Sequence, residues 1–506
     1  MTKVRSSHDV AIIGTGIAGG TLAAILAKQG LSVVMIERDE HPKFSVGEST
    51  IPQTSLNFSF LSKRFNIPEL GNLAHFETVN ANVSRNCGIK RGFNYIYHDF
   101  GKKQDPAKQN QTILNPEIHL FRQDIDAYVT NLAVSLGADL HQKTEVRHID
   151  IGGDGVAIET SKGVFAAQYV VDAAGPGSPL ARQLSLRDTP TRTKTVSRSI
   201  FTHMINVNLY HNSVPEQSAP SPLGEGTLHH IFDGGWVWVI PFNNFVGATN
   251  PLCSVGIQFD EQFPADDTPP QEEFDRTIAK MPSAASQFTE ARSVREWVKV
   301  NRLQFSSKRT TGDRFCILGH AAGFIDPLYS RGLVNTTEAI NALAPRILQA
   351  FKVDDFSAER FDYVETLQRN RLDNNDDMVR CSYLSWRDYD LWNAWFRLWA
   401  VAVMQGGLSL KTKLQRYGET RDESFLPDAS APSGFFGGDA EANPRHAAFR
   451  TFWDTTVARM YRMEQGLESA GSVVESIYDG LRGGEFVPGH FEMHNPGRRY
   501  AKIAIP

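Results

Sequence analysis

Apolar residues at the start of the chain follow two different periods in close succession. Residues 9–13 form a β-branched run that predicts a strand, and the turn G-T-G-I-A-G follows directly. Helical spacing then continues through T-L-A-A-I-L-A-K-Q-G to Gly30, and S-V-V-M-I-E is typical of a second strand. The pattern predicts a strand, a glycine turn, a helix and a strand, which is the order of a βαβ unit.

Shorter strand-like runs continue through the middle of the chain, at residues 118–122, 156–159, 169–172, 229–232 and 236–241. From Asp354 onward the spacing is helical. Trp392, Trp395 and Trp399 recur there at intervals that favour ordinary helix packing, although a helix that covers a pocket would show the same spacing. Residues 427–444 are rich in Pro, Gly, Ser and Asp, which predicts a surface loop.

Composition excludes several classes of protein. The 506 residues are 41% hydrophobic and 22% charged, as in ordinary folded proteins, and the net charge of −5 argues against nucleic acid and anionic membranes as partners. The four cysteines are widely spaced and none forms C-x-x-C, so we expect neither a disulfide framework nor a metal site. The first apolar run is too short for a signal peptide, and no stretch reaches the ~20 apolar residues of a membrane span. We expect a cytoplasmic protein.

The glycine turn predicts a dinucleotide site. Gly14 permits the tight turn, Gly16 lets the backbone approach a pyrophosphate, and Gly19 allows close packing of helix on strand. Ile17 and Ala18 lie between the last two glycines, at the start of the helix, where backbone N–H groups favour an anion. An acid, Glu37, ends the second strand 18 positions after Gly19, as expected for a residue that binds a ribose.

Three later segments resemble the FAD-dependent aromatic monooxygenase superfamily, which favours FAD over NAD. Each is a weak signal alone, but they occur in the expected order. The segments are T-G-D-R-F-C-I-L-G-H-A-A-G-F-I-D-P with Gly312, Asp313 and Asp326, Y-V-V-D-A-A-G with Asp172 and Gly175, and F-R-Q-D-I-D with Arg122. We expect an α/β fold in which residues 1–353 form a Rossmann-like FAD-binding domain interleaved with a β-sheet substrate domain, the latter mainly at 85–120 and 190–305. Residues 354–506 are expected to form a helical C-terminal region.

Four more segments narrow the resemblance to the flavin-dependent halogenases, and among them to the aminopyrrolnitrin and phloroglucinol halogenases, over roughly residues 8 to 400. W-V-W-V-I-P matches the W-x-W-x-I-P motif of that family, F-I-D-P-L-Y-S-R-G matches F-x-x-P-x-x-S-x-G, and C-G-I-K-R-G-F matches the surroundings of the catalytic lysine. The segment P-K-F-S-V-G-E-S-T-I-P resembles a strap that contacts the flavin.

The resemblance implies an oxidoreductase that uses FAD supplied as FADH2, O2, and chloride or bromide to form hypohalous acid. It assigns the catalytic role to Lys90, flavin contacts to Gly47, Glu48, Ser49 and Leu333, and the halide to Ser330, Arg331 and Gly332. It assigns shielding of substrate from flavin to Trp236, Trp238, Ile240, Pro241, Phe324 and Tyr329. From composition alone, a solvated surface lysine and an aromatic core stripe would explain Lys90 and the tryptophans.

Strand periodicity adds further expectations about side-chain direction. Lys90 would share a face with Gly92 and Asn94, opposite Phe93 and Tyr95, which would give the amine a small, polar side with room for a ligand. Adjacent histidines at 229 and 230 would point to opposite faces, and we assign neither a role.

Two features that the sequence lacks, a second dinucleotide fingerprint and a glutamate at position 329, bear on its partner and its substrate. Only one dinucleotide fingerprint is present, so a separate flavin reductase is expected to supply FADH2. Tryptophan halogenases have a glutamate where this chain has Tyr329, so we expect an electron-rich phenol or pyrrole, free or tethered to a carrier protein, rather than free tryptophan. A flavin-dependent aromatic hydroxylase and a catalytically inactive flavoprotein subunit remain alternatives.

Overall fold

The first apolar run becomes the centre of a mostly parallel sheet. A computed structural model describes residues 4–421, 444–486 and 489–503. In this structure β1 (Val4–Ile13) leads through the glycine turn into α1 (Ile17–Lys28), and β2 (Val33–Ile36) lies parallel to β1. The predicted βαβ unit is confirmed.

The remaining elements follow in chain order. The first group is α2 (Pro52–Phe65), α3 (Pro68–Gly71), α4 (Phe76–Asn82), β3 (Gly88–Tyr97), β4 (Gln109–His119), α5 (Arg122–Ser135), β5 (Asp139–His141), β6 (Val146–Gly152), β7 (Gly155–Thr160), β8 (Gly163–Asp172), α6 (Pro179–Gln183) and β9 (Ser197–Ile205). The second group is α7 (Tyr210–Ser213), β10 (Thr227–Phe232), β11 (Gly235–Pro241), β12 (Cys253–Asp260), α8 (Pro270–Ile278), α9 (Pro282–Ala285), β13 (Arg292–Ser293), β14 (Val298–Val300), β15 (Thr311–Gly312), β16 (Phe315–Ile317), α10 (Arg331–Val353), α11 (Asp362–Ser385), α12 (Tyr389–Thr420), α13 (Pro444–Glu464), α14 (Ala470–Gly483) and β17 (Tyr500–Ile503).

The first sheet runs in the order β15–β16–β8–β1–β2–β5, with the β6–β7 hairpin beside β8. From β16 to β5 neighbouring strands are parallel, so their carboxyl ends meet at one edge. Ile13, Asp172 and Ile317 stand side by side at that edge. Ligands of open parallel sheets bind outside this edge.

The second sheet runs in the order β13–β9–β12–β11–β10–β3–β4–β17, with β14 beside β9. Its strands interrupt those of the first sheet along the chain, so the two sheets are interleaved. One face packs against α11 to α14 and the other against α8 and α9. Trp236, Trp238 and Ile240 lie on the face covered by α11 to α14, and Val237 and Val239 lie on the other, as the alternation predicts. The predicted fold class is confirmed.

Three local features differ from the sequence-based expectations. The strand expected at 118–122 ends at His119, because Arg122 is already the first residue of α5. In the described part of the C-terminal region, β17 is a strand among the helices and pairs with β4. Of the loop expected at 427–444, residues 427–443 lie outside the described residues, and Pro444 begins α13. Within the described ranges, helices are too short or too polar to cross a bilayer.

Candidate active site

The glycine turn at the carboxyl edge of the first sheet leaves its backbone open. Gly14 has a φ of +88°, and a Cβ on Gly19 would lie 1.9 Å from the carbonyl oxygen of Gly14. Only glycine fits at these two positions. Gly16 precedes Ile17 and Ala18, whose backbone begins α1. The turn therefore has the bare backbone and the helix N-terminus that a pyrophosphate needs.

Glu37 supplies a buried negative charge beside this turn. One carboxylate oxygen accepts hydrogen bonds from the backbone N–H and hydroxyl of Thr15 at 2.9 and 3.0 Å, and Lys43 Nζ lies 2.5 Å away. Burial opposes ionisation, but the charge of Lys43 and these hydrogen bonds outweigh it and lower the pKa of Glu37 to about 2. An ionised carboxylate at this position can accept hydrogen bonds from ribose hydroxyls. The residues present therefore fit a dinucleotide.

Asp172 stabilises the turn that follows β8 through hydrogen bonds. Its carboxylate accepts hydrogen bonds from Ser178 Oγ at 2.6 Å and from the backbone N–H groups of Leu180 and Ala174 at 3.0 Å each. The turn lies against Gly14, where a Cβ would come within 2.7 Å of Ala174 Cα. Gly175, with a φ of +68°, borders open space.

Gly312 and Asp313 do not join these residues. They lie at the amino end of β16, away from the carboxyl edge, and Asp313 is exposed and accepts a hydrogen bond from the backbone N–H of Ala358. The carboxyl end of β16 instead leads to Gly319 and His320. Gly319, the second glycine of the same segment, therefore lies nearer to the carboxyl edge than Gly312 does.

The strap crosses from the first sheet to the second. Gly47 has a φ of +94° and lies against Arg122, whose guanidinium donates to the carbonyl of Val46 at 2.7 Å and forms two hydrogen bonds with Asp126. Glu48 contacts His203 at 2.7 Å in full burial. These contacts fix the backbone on both sides of Ser49.

The residues expected to hold the halide, Ser330 to Gly332, lie at the start of α10, and we call them the halide turn. Ser330 is left-handed, with a φ of +54°, and precedes Arg331 and Gly332, the first two residues of the helix. The first N–H groups of a helix have no partner within it and carry partial positive charge, as a halide requires. A Cβ on Gly332 would lie 2.3 Å from His320 Nε2. Ser330 Oγ donates to Ser49 Oγ at 3.0 Å, which connects this turn to the strap.

The approach to α10 is fixed by Asp326. Its carboxylate accepts hydrogen bonds from the backbone N–H of Leu328 and from the Tyr383 hydroxyl, each at 3.0 Å. Burial raises the pKa of Asp326 to about 7. Leu333 is buried in the first turn of α10. Asp326 thus bonds to protein groups that shape the turn.

Lys90 is fully buried near the halide turn. Its Nζ donates to Ser49 Oγ at 2.7 Å and to the carbonyl of Thr50 at 2.8 Å, and it lies 3.5 Å from the centre of the Phe93 ring. Burial lowers the pKa of Lys90 well below its ordinary range, which favours the neutral, nucleophilic amine. Ser49 therefore binds both Lys90 and Ser330.

The prediction that Lys90 lies on the face opposite Phe93 is wrong. A bulge between Lys90 and Gly92 shifts the pairing of β3 with β4. On β3 only one residue separates Lys90 from Gly92, whereas on β4 three residues separate their partners, so the two strands do not keep a regular register here. Lys90 Nζ lies over the Phe93 ring rather than beside the small residues Gly92 and Asn94.

Phe93, the ring beneath the amine, belongs to a layer of aromatic side chains from the second sheet and α12. Trp236 and Trp238 lie 5.8 Å apart, and Trp236 contacts His229 at 5.3 Å. Tyr95 stacks on His229 at 4.5 Å, whereas the next residue, His230, hydrogen-bonds to Gln287 on the opposite face, so the two histidines diverge as predicted. Helix α12 covers this layer with Trp392, Phe396 and Trp399, each in contact with Tyr95. The tryptophans of α12 thus pack within the helical region and also cover the aromatic layer.

Tyr329 borders the same region, whereas Phe324 lies beside His320. Tyr329 stacks on Trp399 at 5.1 Å and its hydroxyl bonds to Ser382 Oγ. Burial raises the pKa of Tyr329, so the ring is a neutral phenol. Phe324 contacts His320 edge-on at 5.1 Å.

Three buried polar residues near Lys90 are absent from the sequence-based expectations. Glu117 pairs with Lys90 across the strands and accepts hydrogen bonds from Thr50 Oγ1 and Ser55 Oγ at 3.0 and 2.6 Å. The other two residues are His119 and Thr227, which bond to each other at 3.0 Å. An acid and a histidine two positions apart in the apolar segment E-I-H-L-F were the available signal.

Comparisons with known proteins agree with this geometry. A family model described as an FAD binding domain matches residues 7–342. The chain is 48% identical over 427 residues to tetracycline 7-halogenase of Kitasatospora aureofaciens, which covers 82% of this chain and 77% of that protein. It is 45% identical over 429 residues to monodechloroaminopyrrolnitrin halogenase of Pseudomonas fluorescens, which covers 83% and 76%.

Solved structures show the same similarity over nearly the whole chain. The crystal structure of halogenase PltM in complex with phloroglucinol and FAD superposes with a TM-score of 0.92 at 35% identity. The match covers 98% of this chain and 99% of that one.

Proposed function

We propose that this chain, which belongs to the flavin-dependent halogenase family, transfers its halogen through Lys90. The chain is an FAD-dependent halogenase, an oxidoreductase that uses O2 and a halide, and this family membership decides against the hydroxylase and the inactive flavoprotein. The observation that supports a role for Lys90 is the Ser49 hydroxyl, which accepts hydrogen bonds from Lys90 Nζ and from Ser330 Oγ. A single side chain thus links the amine to the helix N-terminus where we place the halide.

Each part of the site has a separate task in this proposal. Reduced FAD together with O2 supplies the oxidising equivalent that converts the halide to hypohalous acid. The backbone N–H groups of Arg331 and Gly332 hold the halide. The amine of Lys90 receives the hypohalous acid and directs its halogen to the ring of the substrate. Trp236 and Trp238, on β11, keep the substrate away from the flavin.

Different residues hold different parts of the cofactor. We propose that FAD binds along the glycine turn, with its ribose at Glu37 and its flavin against the strap at Gly47, Glu48 and Ser49. Residues 1–353 would then form the FAD-binding domain with the interleaved substrate sheet, the latter mainly at 85–120 and 190–305. Residues 354–506 would form the helical region that covers the substrate.

The substrate that we propose is an electron-rich phenol or pyrrole in secondary metabolism, free or bound to a carrier. The named relatives act on tetracycline and aminopyrrolnitrin scaffolds, another relative chlorinates a pyrrole on a peptidyl carrier protein, and PltM binds phloroglucinol. Tyr329 offers a neutral phenol instead of a carboxylate, so positive charge that develops on the ring is left to the substrate to disperse. A phenol does so through its own oxygen.

Substrate preference is tested by competition. The enzyme receives equal amounts of tryptophan and a resorcinol, with a flavin reductase, NADH and chloride, and the products are identified by the chlorine isotope pattern in mass spectrometry. We expect the resorcinol to be chlorinated first. Preferential chlorination of tryptophan would contradict the assignment.

The partner that we propose is a separate flavin reductase. NADH mixed with the purified holoenzyme is expected to leave its FAD oxidised, and added reductase is expected to bleach the flavin absorbance. Rapid bleaching by NADH alone would show that no partner is needed.

The role of Lys90 is tested by Lys90→Ala. We expect this variant to bind FAD and to make no halogenated product. Lys103→Ala, which removes an exposed lysine paired with Glu216, is the matched control and should behave as wild type. Product formation by Lys90→Ala at the wild-type rate would refute the proposal.

A further inference from the structure

A continuous chain of hydrogen bonds leads from Lys90 to the end of the W-x-W-x-I-P strand. Lys90 Nζ lies 2.7 Å from Ser49 Oγ, which lies 2.8 Å from Thr227 Oγ1. Thr227 Oγ1 lies 3.0 Å from His119 Nε2, and His119 Nδ1 lies 2.9 Å from the carbonyl oxygen of Pro241. The four side chains that form this series of hydrogen bonds are all buried: Lys90, Ser49, Thr227 and His119.

The direction of each bond is fixed at both ends. A hydroxyl has one proton and two acceptor lone pairs. Ser49 Oγ accepts from Lys90 Nζ and from Ser330 Oγ, so both lone pairs are used. The proton of Ser49 must therefore point to Thr227, and the proton of Thr227 must point to His119.

The far end of the chain determines the tautomer of His119. The carbonyl of Pro241 can only accept, so Nδ1 carries the proton and Nε2 has a free lone pair for Thr227. Burial lowers the pKa of His119 to about 3, so the ring is neutral. Starting from Lys90, the Thr227 hydroxyl must donate to His119, and starting from Pro241, His119 Nε2 must accept from Thr227. The two arguments therefore give the same direction for this hydrogen bond.

We propose that His119 and Thr227 are positioning residues for the halogen-transferring amine. They hold the Ser49 hydroxyl with its oxygen toward Lys90, and thereby keep Nζ beside the halide turn. The same bonds tie the amine to the carbonyl of Pro241 and so to the tryptophan strand. The inference rests on the proposed role of Lys90, and the experiment separates the two.

The test compares two substitutions of one residue. Thr227→Val keeps the shape of the side chain but removes the hydroxyl, whereas Thr227→Ser keeps the hydroxyl. Holoenzymes are supplied with a flavin reductase, NADH, chloride and a resorcinol. Halogenated resorcinol is measured by mass spectrometry, and hypohalous acid released to solution is measured with a β-diketone scavenger.

We expect Thr227→Val to make product about tenfold more slowly, with an unchanged KM for the resorcinol and with more hypohalous acid released for each product formed. Thr227→Ser should resemble wild type in both readouts. Loss of stability alone would lower product and released acid together. Equal behaviour of the two variants would overturn the inference.

His119→Asn is the second variant, and it decides the matter if Thr227→Val does not fold. The asparagine Nδ2 can still donate to Pro241, but the amide oxygen then stands at about the place of the ring Cδ2, short of the Nε2 that accepts from Thr227, so we expect the same release of hypohalous acid. If His119→Asn releases no more hypohalous acid per halogenated product than wild type, the proposed role of these hydrogen bonds is refuted. Lys90→Ala is measured in parallel, because full product from that variant would refute the proposed function itself rather than the positioning role.

Discussion

Glu117 is a buried carboxyl whose replacement should stabilise the protein at neutral pH. Burial raises its pKa from 4.5 to about 7, although hydrogen bonds from Ser55 and Thr50 act in the opposite direction. The step from 4.5 to about 7 corresponds to about 3 kcal/mol. Both hydroxyls donate to the same carboxylate oxygen, which the amide oxygen of Glu117→Gln can replace.

The sign of the effect follows from proton binding. Below pH 4.5 the carboxyl is protonated in the folded and the unfolded chain, and its ionisation costs nothing. As the pH rises from 4.5 to about 7, the unfolded chain releases its proton while the folded chain keeps it, so the free energy of unfolding falls. A glutamine stays neutral and avoids this loss. Between about pH 5 and about pH 8, wild type should lose about 2.5 kcal/mol more than Glu117→Gln.

Urea denaturation of the two proteins at both pH values measures this difference. Glu159→Gln removes an exposed carboxyl on β7 and is the matched control, which should follow wild type. The histidines nearest to Lys90, His119 and His229, have a pKa of about 3 and stay neutral throughout. Parallel pH profiles for wild type and Glu117→Gln would refute the reasoning about burial.

Two further predictions concern close backbone contacts. Gly19→Ala places a Cβ 1.9 Å from the Gly14 carbonyl oxygen and should abolish FAD binding, measured as flavin content after purification. The control is Gly418→Ala, where the Cβ meets open space and the flavin should be kept. Equal flavin content in the two variants would contradict the role of the turn. Gly256→Ala places a Cβ 2.3 Å from the Trp238 ring and should displace that ring. We expect it to form more hydroxylated product per halogenated product than wild type, because the substrate then reaches the flavin, and an unchanged ratio would exclude shielding by Trp238.

Local sequence patterns were sufficient for the cofactor turn and for the faces of β10 and β11. The glycines of the turn act within six residues, and strand alternation needs only one strand, so no distant contact enters the prediction. Trp236 and Trp238 share a face, and His229 and His230 diverge, for this reason.

Long-range contacts explain what the sequence could not show. The bulge at Lys90 depends on how β3 pairs with β4, and no local period encodes that register. Ser49 and Ser330 are 281 positions apart, and their hydrogen bond exists only once the two sheets have assembled. Gly312 matched the expected glycine–acid pair, but Gly319, which follows β16, lies nearer to the carboxyl edge.

The most direct test of the central claim separates formation of hypohalous acid from its delivery. Wild type and Lys90→Ala receive reduced FAD, O2, chloride and a resorcinol, and both halogenated product and scavenged hypohalous acid are measured. We predict that wild type converts the acid to product, and that Lys90→Ala still oxidises chloride but releases nearly all of the acid to the scavenger. Undiminished product from Lys90→Ala would contradict delivery through the lysine.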